Sequence, residues 1–182
     1  AKSTRLINGK HIPDTLYHSL PDFKLTGQNG EPVSGKTFTN KIFITNFFYT
    51  HCPTVCNIMN NNVSQLVSNY AKNKMVCFVS VTVDPKRDSV QALKNYANNF
   101  KPRSSKWFFL TGDTITIYNL ARKGFLVNAL QTGKDEFIYS DKLILIDQHK
   151  RIRGYYTGAS TVEVSRLTDE IKVLISAEIR KQ

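Results

Sequence analysis

Two of the three cysteines, Cys52 and Cys56, stand four residues apart around Pro53-Thr54-Val55. The segment Phe47-Phe48-Tyr49-Thr50-His51-Cys52-Pro53-Thr54-Val55-Cys56 runs from the end of a strand into the start of a helix. Pro53 suits a first helical position, where its missing N–H has no partner to lose. Cys52 is then expected at the helix N-terminus, with Cys56 one turn later on the same face. Unpaired N–H groups and the positive end of the helix dipole favour a thiolate at Cys52. Two sulfurs so placed form a disulfide or clamp a soft cation such as Cu(I). The competing reading, two small buried hydrophobes, fits the strand-to-helix position and Pro53 less well. Cys77 is the reverse case, because it sits on the apolar face of a strand and is expected in the core. Three cysteines are too few for a disulfide framework, and the spacing of a structural zinc site is missing.

The elements around the dithiol follow from periodicity. Ile42 to Phe48 is aromatic and β-branched on both faces, as in a buried strand. Val55, Met59, Val63, Leu66 and Tyr70 recur at helical spacing after it. Val76 to Val83 is the next strand, with Cys77, Val79, Val81 and Val83 on one face. Asp88 is expected to cap a helix whose stripe is Val90, Leu93, Ala97 and Phe100. Trp107 to Leu110 forms a short strand and Ile115 to Lys123 a helix. Leu143 to Ile146, a turn at Gln148-His149-Lys150, and Ile152 to Tyr156 form a hairpin. Ser160-Thr161-Val162-Glu163 is a capping box before a helix with Val164, Leu167, Ile171 and Leu174 inside. Glycine, Asn29-Gly30 and Pro32 punctuate Pro21 to Phe38, which suggests an N-terminal β-hairpin. Alternating strands and helices closed by a hairpin and a helix predict an α/β fold of thioredoxin type, a central mixed sheet flanked by helices. Residues 1–20 are expected to be a poorly packed lead-in or tether, and 21–182 a single domain.

With 182 residues, 41% hydrophobic and 21% charged, the chain can build one sizeable core. No apolar stretch approaches the ~18 residues of a membrane span. The first residues are polar with no apolar region behind them, unlike a signal peptide, although an anchor removed upstream leaves no trace in this sequence. The net charge is +11, from 25 Lys and Arg against 14 Asp and Glu. It implies either a solvated basic surface or attraction to an acidic partner or anionic membrane. Scattered basic residues without a finger, helix-turn-helix or RNP pattern argue against nucleic acid. Lys142, Lys150, Arg151 and Arg153 are the one local concentration.

The ordered set of motifs resembles the Sco/SenC family, thioredoxin-fold proteins of cytochrome c oxidase copper-centre assembly. The resemblance begins at Leu20 and rests on Pro21-Asp22-Phe23, Thr50 to Cys56 and Val83-Asp84-Pro85-Lys86-Arg87-Asp88. It continues through Trp107-Phe108-Phe109-Leu110-Thr111-Gly112, Leu143 to Asp147 and Arg151 to Tyr156. It implies Cys52 and Cys56 as a redox dithiol and as Cu(I) ligands, with Asp84, Asp88 and His51 as tuning residues. For Asp84 a turn before Pro85 is the plainer role. The family's copper site adds a histidine before the strand of the hairpin, and that position falls at Tyr139. No histidine occurs from Asn57 to Leu145. A neutral phenol, pKa about 10, substitutes poorly for imidazole. His11, His18 and His149 are expected in surface roles.

The resemblance implies a cell-envelope location, the outer face of the bacterial inner membrane or the intermembrane-space side of the mitochondrial one. It also implies an N-terminal membrane anchor, and as partner the copper-binding oxidase subunit or another envelope protein with cysteines, met through an acidic face. Three functions compete: a Cu(I) carrier, a thiol–disulfide oxidoreductase, and a peroxiredoxin-like peroxidase. The last needs Pro-x-x-x-Thr-x-x-Cys. The corresponding positions hold Thr45 and Tyr49 before Cys52, and Tyr49 and Pro53 before Cys56, so neither cysteine fits.

Overall fold

The computed structural model describes residues 4–7, 10–13, 17–100 and 106–180. Strands β1 (Thr4–Ile7) and β2 (Lys10–Pro13) pair with each other. A hairpin follows, β3 (Lys24–Gly27) and β4 (Pro32–Ser34), turning at Gly30 with φ of +80°. The central strands are β5 (Ile42–Phe48), β6 (Val76–Thr82) and β7 (Trp107–Thr111), mutually parallel. Helix α1 (Val55–Asn69) links the first two and α2 (Val90–Asn98) lies between the second and third. After α3 (Thr114–Asn119) come a short hairpin, β8 (Ala129–Gln131) and β9 (Phe137–Tyr139), and a longer one, β10 (Lys142–Ile146) and β11 (Ile152–Thr157). Helix α4 (Thr161–Ile179) closes the fold, capped by Ser160.

The main sheet has the order β11-β10-β5-β6-β7-β3-β4, a mixed sheet with its parallel strands in the middle. Strands β5 and β6 are buried at all seven positions each, as continuous apolar runs covered on both faces must be. The layer beside α2 is aromatic. Phe48 stacks on Tyr96 at 5.0 Å, and Trp107 lies 4.6 Å from Phe109. Each fully buried ring contributes roughly 1.5–3 kcal/mol.

A polar chain runs through this apolar interior. Trp107 Nε1 donates to Ser80 Oγ (2.9 Å), and Ser80 donates to Asn46 Oδ1 (2.6 Å). Asn46 Nδ2 donates to Asn60 Oδ1 (2.9 Å), and Asn60 Nδ2 to the Tyr96 hydroxyl (3.0 Å). Every link has a partner, so the buried amides are tolerated, and they tie three strands to α1 and α2.

Several expectations change. Asp88 does not cap α2. Ser89 does, its hydroxyl accepting from Ala92 N at 3.2 Å. Pro53 lies before the cap of α1, which is Thr54. The helix expected to reach Lys123 ends at Asn119 and continues as a single π turn over Leu120–Gly124, after which Leu126 takes φ of +57°. Hairpin β8–β9 has no period in the sequence, because its strands are three residues long and partly exposed. Residues 17–20 pack onto the body. Leu20 is buried and its N–H donates to Lys150 O at 2.7 Å, while Ile152 N donates to His18 O. The side chains of residues 1–16, His11 among them, lie outside the described residues.

Candidate redox and metal site

The site forms where β5 ends and α1 begins. Cys52 lies two residues before the Thr54 cap, in a turn where its N–H donates to Tyr49 O at 3.2 Å. Cys56 is the second residue of α1. Cys56, rather than Cys52, therefore occupies the first helical turn, where the unpaired amides lie. The two are joined as a disulfide with Cα atoms 5.9 Å apart. Both are buried, Cys56 completely and Cys52 at 5% exposure. Cys52 is the more exposed residue of the two.

Tyr139 at the end of β9 meets both sulfurs. Its hydroxyl is 3.0 Å from Cys52 Sγ and 3.4 Å from Cys56 Sγ. Against a disulfide the phenolic O–H is the only donor of the three groups. Burial first, then Tyr49 and Asp141, raise the Tyr139 pKa above its ordinary value, so the phenol is neutral and keeps its proton at neutral pH.

Residues that carried no signal of their own hold this contact. Tyr49 stands edge-on to Tyr139 at 5.7 Å and packs on Phe137 at 4.9 Å. Arg87 lies 5.8 Å from the Phe137 ring centroid and bonds both Asp84 and Asp135. Arg87 therefore ties the β8–β9 hairpin to the loop after β6. Only the Arg87–Asp84 spacing of three was visible in sequence.

Asp88 is fully buried and serves the cysteine loop. Its carboxylate accepts from Thr50 N (3.0 Å), from the Thr50 hydroxyl and from the Thr82 hydroxyl. Asp84 bonds Arg87, and its carbonyl accepts from Asp88 N at 2.9 Å. Its side chain acts through Arg87 on β8–β9. His51 is exposed, its Nδ1 3.1 Å from the Thr50 hydroxyl. Cys77 is buried in β6 and its thiol is pushed up to about 12, chiefly by burial. Among the described residues no group of three or more His, Cys, Asp or Glu is placed to hold a metal ion.

Beside Tyr139 a cleft of about 450 Å³ opens, lined by Leu126, Val127, Asn128, Lys142 and Tyr155. Tyr155 is held there by its hydroxyl, which donates to Phe125 O at 2.9 Å.

The sequence profile of the family described as SCO1/SenC matches residues 14–176. The chain belongs to the SCO1/SenC family. A SCO1 protein homolog of Bacillus subtilis is 26% identical over 167 residues, 90% of this chain and 86% of the relative. The SCO1/SenC family lipoprotein of Bacillus anthracis superposes with a TM-score of 0.82 at 29% identity, covering 88% of this chain and 96% of that one. BsSco, described as a member of the Sco family of cytochrome c oxidase assembly proteins with a disulfide switch, gives 0.78 at 25%, over 90% and 96%. ScoI of Arabidopsis thaliana with copper bound gives 0.71 at 25%, over 90% and 99%. The SCO1/SenC fold thus covers nearly all of this chain.

Proposed function

We propose that this protein acts in assembly of an oxidase copper centre by thiol–disulfide exchange at Cys52 and Cys56. One observation carries the reading: the group facing both sulfurs is a neutral phenol, at 3.0 and 3.4 Å, rather than an imidazole. Two thiolates and a proton-bearing phenol suit sulfur chemistry, since the O–H donates a hydrogen bond that stabilises a thiolate. In the reduced form the Cys52 thiolate attacks one sulfur of a partner disulfide. That bond breaks, the partner's other sulfur leaves and takes a proton, and a mixed disulfide forms. The Cys56 thiolate then attacks Cys52 Sγ, giving the intramolecular disulfide and releasing the second partner thiol. Two electrons pass to the partner, and a thiol reductant must restore the dithiol. Cys52 is taken as the attacking residue because it is the more exposed of the two cysteines.

The relatives' printed roles, oxidase assembly for BsSco and bound copper for the Arabidopsis protein, support the copper-centre context. They also support a second reading, delivery of Cu(I) as cargo on the same two sulfurs. Soft thiolates bind Cu(I), whereas Cu(II) prefers a site that includes imidazole. The partner is then a copper-binding oxidase subunit or another envelope protein with paired cysteines. The lipoprotein relative supports a cell-envelope site of action for a membrane-anchored full-length form. A redox titration of Cys52–Cys56 beside a Cu(I) competition assay separates the readings. A strongly reducing potential with negligible copper affinity supports exchange. Tight Cu(I) binding that Cys52→Ser abolishes supports the carrier.

A further inference from the structure

The parallel strands β5, β6 and β7 begin side by side at the end of the sheet opposite the dithiol. Ile42 pairs with Val76 and Phe78 with Trp107, which brings Lys41, Lys74 and Lys106 to one place. All three line a cavity of about 300 Å³ whose apolar wall includes Phe38, Cys77 and Phe108. Two of the ammonium groups are held by backbone carbonyls, Lys41 Nζ by Lys74 O (2.5 Å) and Lys106 Nζ by Tyr70 O (2.9 Å). An ammonium has three donors, so each keeps two for another acceptor. Among the described residues no carboxylate lines the cavity and none of the three lysines has an acidic partner. Charges that converge without a counter-ion repel. Lys106 is held below the ordinary lysine value, first by burial, with the Cys77 thiol opposing and Lys41 adding to the fall.

We propose that this cavity binds a phosphate monoester, either free or as the headgroup of a phosphatidic acid. Three point charges around one space match a dianion with three acceptor oxygens better than a carboxylate with one charge and two. The Phe38 and Phe108 wall receives the carbon attached to the phosphate. The volume is at the low end for ligand sites, of order 300–1,000 Å³, so it takes a headgroup rather than a large cofactor. Seven residues of β5 at about 3.3 Å each put roughly 20 Å between this cavity and the dithiol loop. Occupancy therefore leaves Cys52 accessible, and a lipid surface bound there leaves the dithiol facing away from it.

The test uses the oxidised full chain, so that its outcome is independent of the dithiol's function. Inorganic phosphate is titrated while backbone amide chemical shifts are followed. Saturable shifts are expected at Lys41, Lys74 to Cys77 and Lys106 to Phe108, about tenfold weaker in Lys41→Gln/Lys106→Gln. A control with the same charge change elsewhere, Lys94→Gln/Lys134→Gln, is expected to bind as the parent does. Sedimentation with phosphatidylcholine vesicles containing phosphatidic acid, whose headgroup is a phosphate monoester, against phosphatidylcholine alone, identifies the source. Binding to the first that needs Lys41 and Lys106 assigns the headgroup, and phosphate shifts without vesicle binding assign the free monoester. Should the double variant fail to fold, the exposed Lys74→Gln replaces it and is expected to weaken binding severalfold. Shifts spread evenly over the lysines, or equal binding by the cavity and control variants, overturn the proposal.

Discussion

At the scale of single residues, the chemistry turns on what Tyr139 gives the sulfurs. Its hydroxyl can donate to a Cys52 thiolate but has no comparable gain against a disulfide, so it stabilises the reduced form. Tyr139→Phe removes that donor. A hydrogen bond to a charged group is worth about 1.5–3 kcal/mol, so the couple is expected to become about 30–60 mV more reducing. Equilibration against glutathione or dithiothreitol buffers measures it, and an unchanged potential would mean that the contact has no energetic role in the reduced protein. Cys77 provides a second expectation. With its thiol pushed up to about 12, its alkylation in the oxidised protein is slow at neutral pH. The rate climbs about tenfold for each pH unit until the thiol ionises, and a plateau near pH 8 or 9, the ordinary thiol range, contradicts that burial.

At the scale of elements, three loops must agree for the sulfurs and the phenol to meet. Asp88 holds the cysteine loop through Thr50 and anchors itself on Thr82 of β6. Asp88→Ala strands one amide and two hydroxyls, and is expected to cost roughly 2–4 kcal/mol of stability, read by chemical denaturation. Asp88→Asn keeps the volume and one acceptor and is expected to lose less; equal losses would place the effect in the charge or the lost acceptor rather than in volume. The strands and helices that bear the site were legible because continuous apolar runs and helical spacing are strong local signals, as in Ile42 to Phe48 and Val55 to Tyr70. The devices that aim the side chains were not. Arg87 reaches Asp135 across 48 positions, and Tyr49 meets Phe137 and Tyr139 across nearly ninety. Such pairings have no period, and Asp88 looked like a helix cap because the adjacent Ser89 takes that task. Asn46 is similar: within an apolar strand it signals a buried partner, but which one depends on α1 and β6 packing over it.

At the scale of the molecule, the +11 charge is partly spent internally. The concentration at Lys142, Arg151 and Arg153 is one such place. Both arginines bond the buried Asp147 and lie over Tyr17, and Lys142 pairs with Asp141. The remaining excess would act on an acidic partner over a Debye length of about 8–10 Å in physiological salt. Exchange with such a partner is expected to slow steeply as salt rises, through its association rate, while the dithiol potential stays constant. A salt-independent rate under second-order conditions argues against electrostatic docking. The fold separates its two poles, with the Cys52–Cys56 disulfide where β5 ends and a lysine-lined cavity where it begins.

The account rests on a site of two sulfurs and a neutral phenol, and a copper titration of the reduced protein followed by visible absorption tests it most directly. No stable stoichiometric Cu(II)–thiolate band is expected, and Tyr139→His is expected to gain that band. A stable one-to-one Cu(II)–thiolate band in the unaltered protein would contradict the account.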